Sequence, residues 1–257
     1  MSDPSTTTNI LITGVNRGIG LSLLQTLLLR PNHTIIGTVR TSPPATSPLY
    51  TLPTHPTTTL HLLPLELTTP NAYTTLHTTL TTTLNIPYLD TVICNAGICP
   101  PEGTPYTVPI SDISAAFEVN TLGPIRLFQS LRGLLVKGSE KGRVVKWVNV
   151  GTGAASLGLF GVTRVGWNTA YGVSKVGVNW VTLAMHDEEP WLVTFVVHPG
   201  LVQTEMGNRG ARRIGMEEAP NTLEESATKT LAVIDKATRE ETSGKFINVI
   251  DGTELPW

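Results

Sequence analysis

The sequence predicts an α/β protein with a doubly wound, parallel sheet of seven strands and helices on both faces. Short β-branched runs alternate with helix-like stretches along the chain, a pattern typical of parallel sheets covered by helices. The 257 residues suffice for one ordinary domain with a sizeable core. No repeat or linker divides the sequence, so we expect a single domain over residues 1–257.

The predicted strands are apolar runs bounded by polar or helical sequence. They cover residues 9–13, 34–39, 60–65, 91–94, 144–150, 193–197 and 246–250. Pro64 lacks the N–H that a strand donates, so the third strand belongs at an edge of the sheet. The first helix is predicted from Ile19 to about Leu29, and Asn71 is expected to cap a later helix. That later helix carries leucines four residues apart, namely Leu76, Leu80 and Leu84.

Composition and charge exclude several classes of protein. With 18 basic and 20 acidic residues, the chain lacks the basic surface that nucleic-acid binding favours. No apolar run approaches the roughly 18 residues of a membrane-spanning helix, and the N-terminal residues MSDPSTTTN do not resemble a secretion signal. Cys94 and Cys99 form neither a disulfide framework nor a zinc pattern. We therefore expect a cytoplasmic protein without a metal, nucleic-acid or membrane partner.

One segment has an unusual composition. Residues 41–91 are dominated by Thr, Pro and Leu, and no Lys or Arg occurs between Arg40 and Arg126. This bias favours solvent-facing helix and loop positions. A modified or partner-binding surface is the alternative, and no individual residue supports it.

A glycine-rich turn, Thr13–Gly20, follows the first strand and opens the first helix. Gly14 permits a tight turn, Gly18 lets the backbone approach a pyrophosphate, and Gly20 allows the helix to pack closely on the strand. The helix N-terminus offers unpaired N–H groups to an anion. The turn therefore predicts a dinucleotide site, which also includes Asn16, Arg17 and Ile19.

The end of the second strand indicates which dinucleotide is bound. NAD sites usually place an acidic residue here for the ribose 2′-hydroxyl, whereas this chain has Arg40 and no acid. Each of Arg40 and Arg17 alone is compatible with a solvated surface residue. Together they suit a 2′-phosphate, because guanidinium groups bind phosphates in a defined geometry. The sequence therefore predicts NADP(H).

Tyr171 and Lys175 are four residues apart, on one face of a predicted helix. The ordinary pKa of a tyrosine is about 10, too high for efficient proton transfer near neutral pH. A nearby ammonium and the positive nicotinamide of an oxidised cofactor favour the phenolate and lower that pKa. Alone, the pair is also compatible with a surface helix that carries an extended lysine.

Five motifs together resemble the short-chain dehydrogenase/reductase family over about residues 8–252. In chain order they are Thr13–Gly20, Asn95-Ala96-Gly97, Asn120, Tyr171 with Lys175, and Pro199-Gly200. The resemblance implies a Rossmann-like fold, NADPH-dependent ketone reduction, and a homodimer or homotetramer.

The resemblance also implies roles for single residues. Tyr171 is the expected general acid, Lys175 is expected to bind the nicotinamide ribose and lower the pKa of Tyr171, and Asn120 is expected to hold a water in a proton relay. Further cofactor contacts are expected from Glu66, Leu67, Asn95, Ala96, Gly97, Pro199, Gly200, Val202 and Thr204.

The sequence departs from the family after the fifth strand, where a serine usually binds the substrate carbonyl. Thr152 stands at that position and keeps a hydroxyl, although its β-methyl restricts the side-chain rotamer. Ser156 is the alternative if the loop is shifted. Tyr171 follows Thr152 by 19 positions, a long interval for the family, which indicates a substrate-shaping insertion. His198 is expected to bond to the backbone rather than to tune the pocket.

Within the family, residues 200–207 and 251–257 resemble the norsolorinic acid ketoreductases of aromatic polyketide pathways, and the Val-Gln-Thr-x-Met-Gly core is shared with a wider carbonyl-reductase branch. This implies a flat, apolar, aromatic ketone as substrate. The side chains expected around it are Leu157, Leu159, Phe160, Val162, Trp167, Met206 and Met216. The alternative function is an NADP-binding protein of the same fold with a non-redox or regulatory role.

Overall fold

The fold is built on seven strands, seen in a computed structural model that describes residues 7–257. They are β1 (Thr8–Thr13), β2 (His33–Val39), β3 (Thr59–Pro64), β4 (Thr91–Cys94), β5 (Val145–Val150), β6 (Leu192–His198) and β7 (Phe246–Asn248). They form one sheet in the order β3-β2-β1-β4-β5-β6-β7, and every neighbouring pair is parallel. The predicted doubly wound sheet is confirmed.

The helices connect these strands and lie on the two faces of the sheet. They are α1 (Gly18–Leu28), α2 (Pro70–Thr78), α3 (Ile110–Phe117), α4 (Gly123–Glu140), α5 (Phe160–Thr163), α6 (Thr169–Glu188), α7 (Glu205–Arg213) and α8 (Leu223–Lys236). Two π-helical turns, Thr79–Thr83 and Glu118–Leu122, extend α2 and join α3 to α4. A 3₁₀ turn, Gly153–Ala155, follows β5.

The predicted strands agree with the observed ones to within two residues at each end. Pro64 ends β3, which lies at the edge of the sheet, as its missing N–H requires. The predicted cap of α2 is wrong. The helix begins at Pro70 with Thr69 as its N-cap, because a proline loses no hydrogen bond at the first helical position. Asn71 therefore lies inside the first turn.

Two apolar cores cover the two faces of the sheet. In β1, Ile10 and Ile12 face the core formed with α1 and α8, whereas Leu11 faces the core formed with α2, α4 and α6. Both sides of a central parallel strand are thus buried, so its sequence is continuously apolar rather than alternating.

Most threonines of residues 41–91 are exposed. Along α2 and its π turn, the hydroxyls of Thr75, Thr81 and Thr82 donate to carbonyls four residues earlier at 2.7–3.0 Å. The hydroxyls are therefore satisfied within the helix itself, in keeping with solvent-facing positions. Within residues 7–257, none of the helices combines the length and apolar character that crossing a bilayer demands. The expectation about the N-terminal sequence falls largely on residues 1–6, outside the described residues.

The sheet order places the ends of β1, β4, β5 and β6 along one edge. Connections leave β1 and β4 in opposite directions, which opens a crevice between the two strand ends. Gly20 in α1 packs so closely below this crevice that a Cβ atom there would lie 2.2 Å from the Gly14 carbonyl oxygen and 2.4 Å from Asn95 Nδ2. The shape of the crevice thus depends on direct contact between α1, at Gly20, and the backbone of Gly14.

This close packing predicts a strong effect of Gly20→Ala. The added methyl collides with the backbone of Gly14, so we expect the free energy of unfolding to fall by about 1–3 kcal/mol. Gly133→Ala is the matched control, because Gly133 lies in a helix with nothing within 4 Å of its Cβ position. That change should stabilise the protein by about 0.5–1 kcal/mol. Urea unfolding measures both, and equal effects of the two variants would contradict the packing argument.

Candidate active site

The turn between β1 and α1 has the backbone geometry of an anion site. Gly14 and Gly18 adopt φ values of +73° and +58°, in the left-handed region that glycine tolerates best. Arg17 is the N-cap of α1, and its side chain makes no hydrogen bond to the first turn. The N–H groups at this helix start are thus not capped by that residue, which suits a bound phosphate. Asn16 and Arg17 are exposed, whereas Ile19 packs against the core.

Asn95 holds this turn in place from the end of β4. Its Nδ2 donates to the carbonyl oxygens of Thr13 at 2.9 Å and Gly14 at 3.2 Å. The Thr13 hydroxyl in turn accepts the backbone N–H groups of Asn95 and Ala96, both at 3.0 Å. The Asn95–Gly97 motif therefore braces the turn directly.

The two arginines predicted to bind a phosphate each pair with a carboxylate. Arg17 contacts Glu205 at 2.8 Å, with both side chains largely exposed, and Arg40 contacts Glu66 at 3.3 Å. Arg40 and Glu66 follow the neighbouring strands β2 and β3, so the sheet brings them together. Leu67 beside them is buried. Both guanidinium groups are largely exposed, so each faces solvent as well as its carboxylate partner.

Tyr171, Lys175 and Thr152 meet at the end of β5. Lys175 is buried and donates from Nζ to the Val150 carbonyl oxygen at 2.8 Å, and its Nζ lies 5.8 Å from the centre of the Tyr171 ring. The Thr152 hydroxyl lies near the Tyr171 hydroxyl and acts to lower the pKa of Tyr171. Two hydroxyls and an ammonium therefore share one pocket beside the phosphate turn.

Burial dominates the electrostatics of this pocket. It raises the pKa of Tyr171, and the hydrogen bond from Thr152 offsets only part of this increase. Burial also lowers the pKa of Lys175 to about 8. The low-dielectric site thus penalises both charged forms, and the lowering of the Tyr171 pKa by Lys175 together with a nicotinamide stays a prediction.

Asn120 lies in the π turn between α3 and α4 and is almost completely buried. Its Nδ2 donates to the Ile98 carbonyl at 2.8 Å and to Ser174 Oγ at 2.9 Å, while its Oδ1 accepts the Ile98 N–H at 2.8 Å. Ser174 Oγ donates to the Tyr171 carbonyl at 2.7 Å. Asn120 thus links the loop after β4 to the helix of Tyr171. Because both hydrogens of its Nδ2 are already donated, any water that Asn120 holds must donate to one of its oxygen atoms.

The two candidate hydroxyls after β5 have different surroundings. Ser156 is buried, and its Oγ donates to the Pro256 carbonyl at 2.5 Å and accepts the Leu159 N–H at 3.1 Å. Thr152 is partly buried; its Oγ1 accepts the Ala154 N–H at 3.3 Å and contacts Tyr171. Ser156 therefore anchors the loop to residues 256–257, and Thr152 is the hydroxyl beside Tyr171.

The loop after β6 forms the opposite wall of the crevice. Gly200 has a φ of +86°, and a Cβ there would lie 2.5 Å from Asn221 Oδ1. Pro199 and Val202 are buried, and Thr204 Oγ1 caps α7 by accepting the Gly207 N–H at 2.9 Å. A Cβ at Gly18 would lie 3.5 Å from Thr204 Cγ2, so this loop faces the phosphate turn at close range.

Several residues that support the site were not predicted from the sequence. Asn221 accepts the Leu201 N–H at 3.1 Å through Oδ1, and Ser226 donates to the Pro199 carbonyl at 2.7 Å. Ser174 links Asn120 to Tyr171. Each joins segments far apart in the chain, and no local pattern distinguishes such residues from ordinary surface polar groups.

The remaining candidates behave as structural groups. His198 accepts the Gly153 N–H through Nδ1 at 3.1 Å, the expected backbone bond. Cys94 is buried, which raises the pKa of its thiol, and Cys99 is partly buried. Among residues 7–257, no group of His, Cys, Asp or Glu side chains is arranged to hold a metal ion.

Several apolar side chains are exposed in the segments that follow β5 and β6. Leu157, Phe160 and Val162 are exposed on the loop after β5, as are Met206 and Met216 in and after α7. Leu159 and Trp167 are partly buried beside them. Exposed apolar side chains in such segments are candidates for contact with an apolar ligand.

Comparison with known proteins gives matches over nearly the whole chain. The sequence pattern of the short chain dehydrogenase family matches residues 8–214. The short-chain dehydrogenase srdF of Neurospora crassa is 37% identical, covering 97% of this chain and 98% of that protein. The norsolorinic acid ketoreductase of Aspergillus parasiticus is 34% identical, covering 99% of this chain and 93% of that protein.

Solved structures agree with these sequence matches. The NADPH-bound carbonyl reductase from chicken fatty liver has a TM-score of 0.85 and 27% identity, covering 98% of this chain and 94% of that one. The carbonyl reductase Sniffer of D. melanogaster has a TM-score of 0.82 and 27% identity, covering 98% and 100%. The fold and these matches define an oxidoreductase of the Rossmann-like class. The chain belongs to the short-chain dehydrogenase/reductase family.

Proposed function

We propose that this protein reduces a ketone to a secondary alcohol with NADPH. The observation that carries the proposal is the arrangement of the Thr152 hydroxyl near that of Tyr171, with the buried ammonium of Lys175 5.8 Å from the centre of the Tyr171 ring. A carbonyl oxygen bound there meets two hydroxyl donors at the carboxyl edge of the sheet, where ligands of such sheets bind.

The described residues fit a bound NADPH. Gly14, Gly18 and the start of α1 suit the pyrophosphate, and Arg17 and Arg40 suit the 2′-phosphate. The other predicted contacts lie at the ends of β3, β4 and β6, along the same edge. When bound, NADPH supplies the hydride that is added to the carbonyl carbon.

The chain itself supplies the proton and the stabilisation of charge. Tyr171 donates its hydroxyl proton to the carbonyl oxygen, and the Thr152 hydroxyl stabilises the negative charge that develops there. Because burial raises the pKa of Tyr171, the phenol is fully protonated at neutral pH and ready to donate. Lys175 then stabilises the phenolate that forms. Asn120 holds a water through one of its oxygen atoms, and this water is part of the relay that returns a proton to Tyr171.

The exposed apolar side chains that follow β5 and β6 support a flat, aromatic, polyketide-type ketone as substrate. The exposed Leu157, Phe160 and Met206 offer surface that an aromatic ring system buries on binding. Norsolorinic acid ketoreductases are among the relatives at 34% identity, in keeping with this substrate class.

We also propose a homo-oligomeric state. Along α6, Val173, Trp180 and Leu183 are exposed at helical spacing, and an apolar stripe of this kind favours contact with another subunit. Sedimentation equilibrium tests the proposal, since a monomer has a mass of 27.6 kDa.

Cofactor choice is tested with Arg40→Ala. Loss of a charge-assisted phosphate contact should raise the Kd for NADPH about 10- to 100-fold and leave the Kd for NADH nearly unchanged. Arg30→Ala is the matched control, because Arg30 pairs with Asp235 away from the crevice. Fluorescence titration measures both nucleotides. Equal weakening of NADPH and NADH would mean that Arg40 does not bind the 2′-phosphate.

The reaction itself is tested with Tyr171→Phe. Removing the proton donor should lower kcat for NADPH oxidation by aromatic ketones at least about 100-fold, while NADPH binding is retained. Tyr106→Phe serves as the control, since Tyr106 is 95% exposed. The alternative, an NADP-binding protein without redox turnover, predicts tight NADPH binding and no oxidation by any ketone even in the unaltered protein.

The carbonyl-binding hydroxyl is tested by three substitutions. Thr152→Val should lower kcat about 10²–10³-fold if this hydroxyl stabilises the developing charge, and Thr152→Ser should keep or raise activity. Ser156→Ala should lower kcat less than Thr152→Val, because its hydroxyl is committed to Pro256 and Leu159. A silent Thr152→Val combined with an inactive Ser156→Ala would assign the role to Ser156 instead.

A further inference from the structure

His198 ends β6, on the strand next to β5, and faces the turn that begins at Thr152. Its backbone is fixed by the sheet, since its carbonyl accepts the Val249 N–H at 3.1 Å, and Pro199 restricts the conformation of His198 itself. The imidazole thus extends from a rigid position outside the group of hydroxyls described above.

The imidazole forms a hydrogen bond to the peptide group that joins Thr152 to Gly153. Its Nδ1 accepts the Gly153 N–H at 3.1 Å, and the Thr152 carbonyl in the same peptide plane accepts the Ala155 N–H at 2.9 Å. Because a peptide group is planar and includes the preceding Cα atom, these two bonds fix the plane from which the Thr152 side chain extends.

This contact requires a specific form of histidine. A nitrogen can accept an N–H only when it carries a lone pair, so Nδ1 is unprotonated and the proton lies on Nε2. Burial lowers the pKa of His198 to about 4, which keeps the ring neutral at pH 7. The acceptor is therefore present under ordinary conditions.

We propose that His198 is a positioning residue that directs the Thr152 hydroxyl through the Gly153 N–H. The proposal rests on the proposed function, in which Thr152 binds the substrate carbonyl. The methyl group of threonine makes this support important, because a β-branched side chain has few rotamers and its hydroxyl direction follows the backbone closely.

Three variants of His198 test the proposal. His198→Leu removes the acceptor, and His198→Phe keeps a planar ring without one. Both should lower kcat about 10-fold through misplacement of the hydroxyl, with the Kd for NADPH unchanged. His198→Asn should retain most of the activity, because its Oδ1 replaces Nδ1 as the acceptor. An Asn variant as impaired as the Leu variant would overturn the proposal.

A double-mutant cycle separates positioning from general damage. In the Thr152→Val background the hydroxyl is gone, so His198→Leu should cause no further loss of kcat. Independent, multiplied losses would show that His198 acts by another route. If His198→Leu has full activity while Thr152→Val is impaired, this inference fails alone; if Tyr171→Phe retains full activity, the proposed function fails.

A measurement on the unaltered protein does not depend on any variant folding. Nitrogen-15 NMR of the histidine ring at pH 7 should show an unprotonated Nδ1 and a protonated Nε2 for His198. A protonated Nδ1 would overturn the proposal, since that nitrogen could not then accept the Gly153 N–H.

Discussion

The contact between the first turn and the end of β4 is the constraint on which the site depends. Because Gly20 has no side chain, the Gly14 carbonyl and Asn95 Nδ2 can occupy the space where a Cβ atom would lie. Asn95 Nδ2 donates to the carbonyls of Thr13 and Gly14, and the Thr13 hydroxyl accepts two backbone N–H groups of the loop after β4. The two strands at the crevice are thereby locked together, and every group that surrounds the crevice is positioned relative to them.

The chemistry of the pocket follows from its burial. One low-dielectric site raises the pKa of a phenol and lowers the pKa of an ammonium, so burial by itself favours neither charge. The phenol is therefore a neutral acid at ordinary pH, and in the proposed reaction Lys175 would stabilise the phenolate that forms. Hydroxyls that hydrogen-bond in both directions, such as that of Thr152, suit this requirement.

Much of the fold was predictable because its signals are local. Apolar runs, the proline of β3 and the glycines of the first turn each act within a few residues, and the Tyr171–Lys175 spacing lies within one helical turn. The cap of α2 failed because Pro70 competes with Asn71 for the helix start. Three contacts join residues 26 to 100 positions apart: the bond of Ser156 to Pro256, the bond of Gly153 to His198 and the pairing of Arg40 with Glu66. Such contacts become visible only once the sheet brings the segments together.

The ion pair between Arg40 and Glu66 has a consequence for selectivity. A guanidinium has five N–H donors, so Arg40 can bind a second anion while it holds Glu66, but the carboxylate already neutralises part of its charge. A dianionic phosphate monoester competes well against one carboxylate in a half-exposed position. A neutral hydroxyl attracts a guanidinium far less than either anion does. In the proposed complex, Glu66 would therefore lower the gain that a weakly charged ligand group obtains from Arg40 more than the gain of a phosphate.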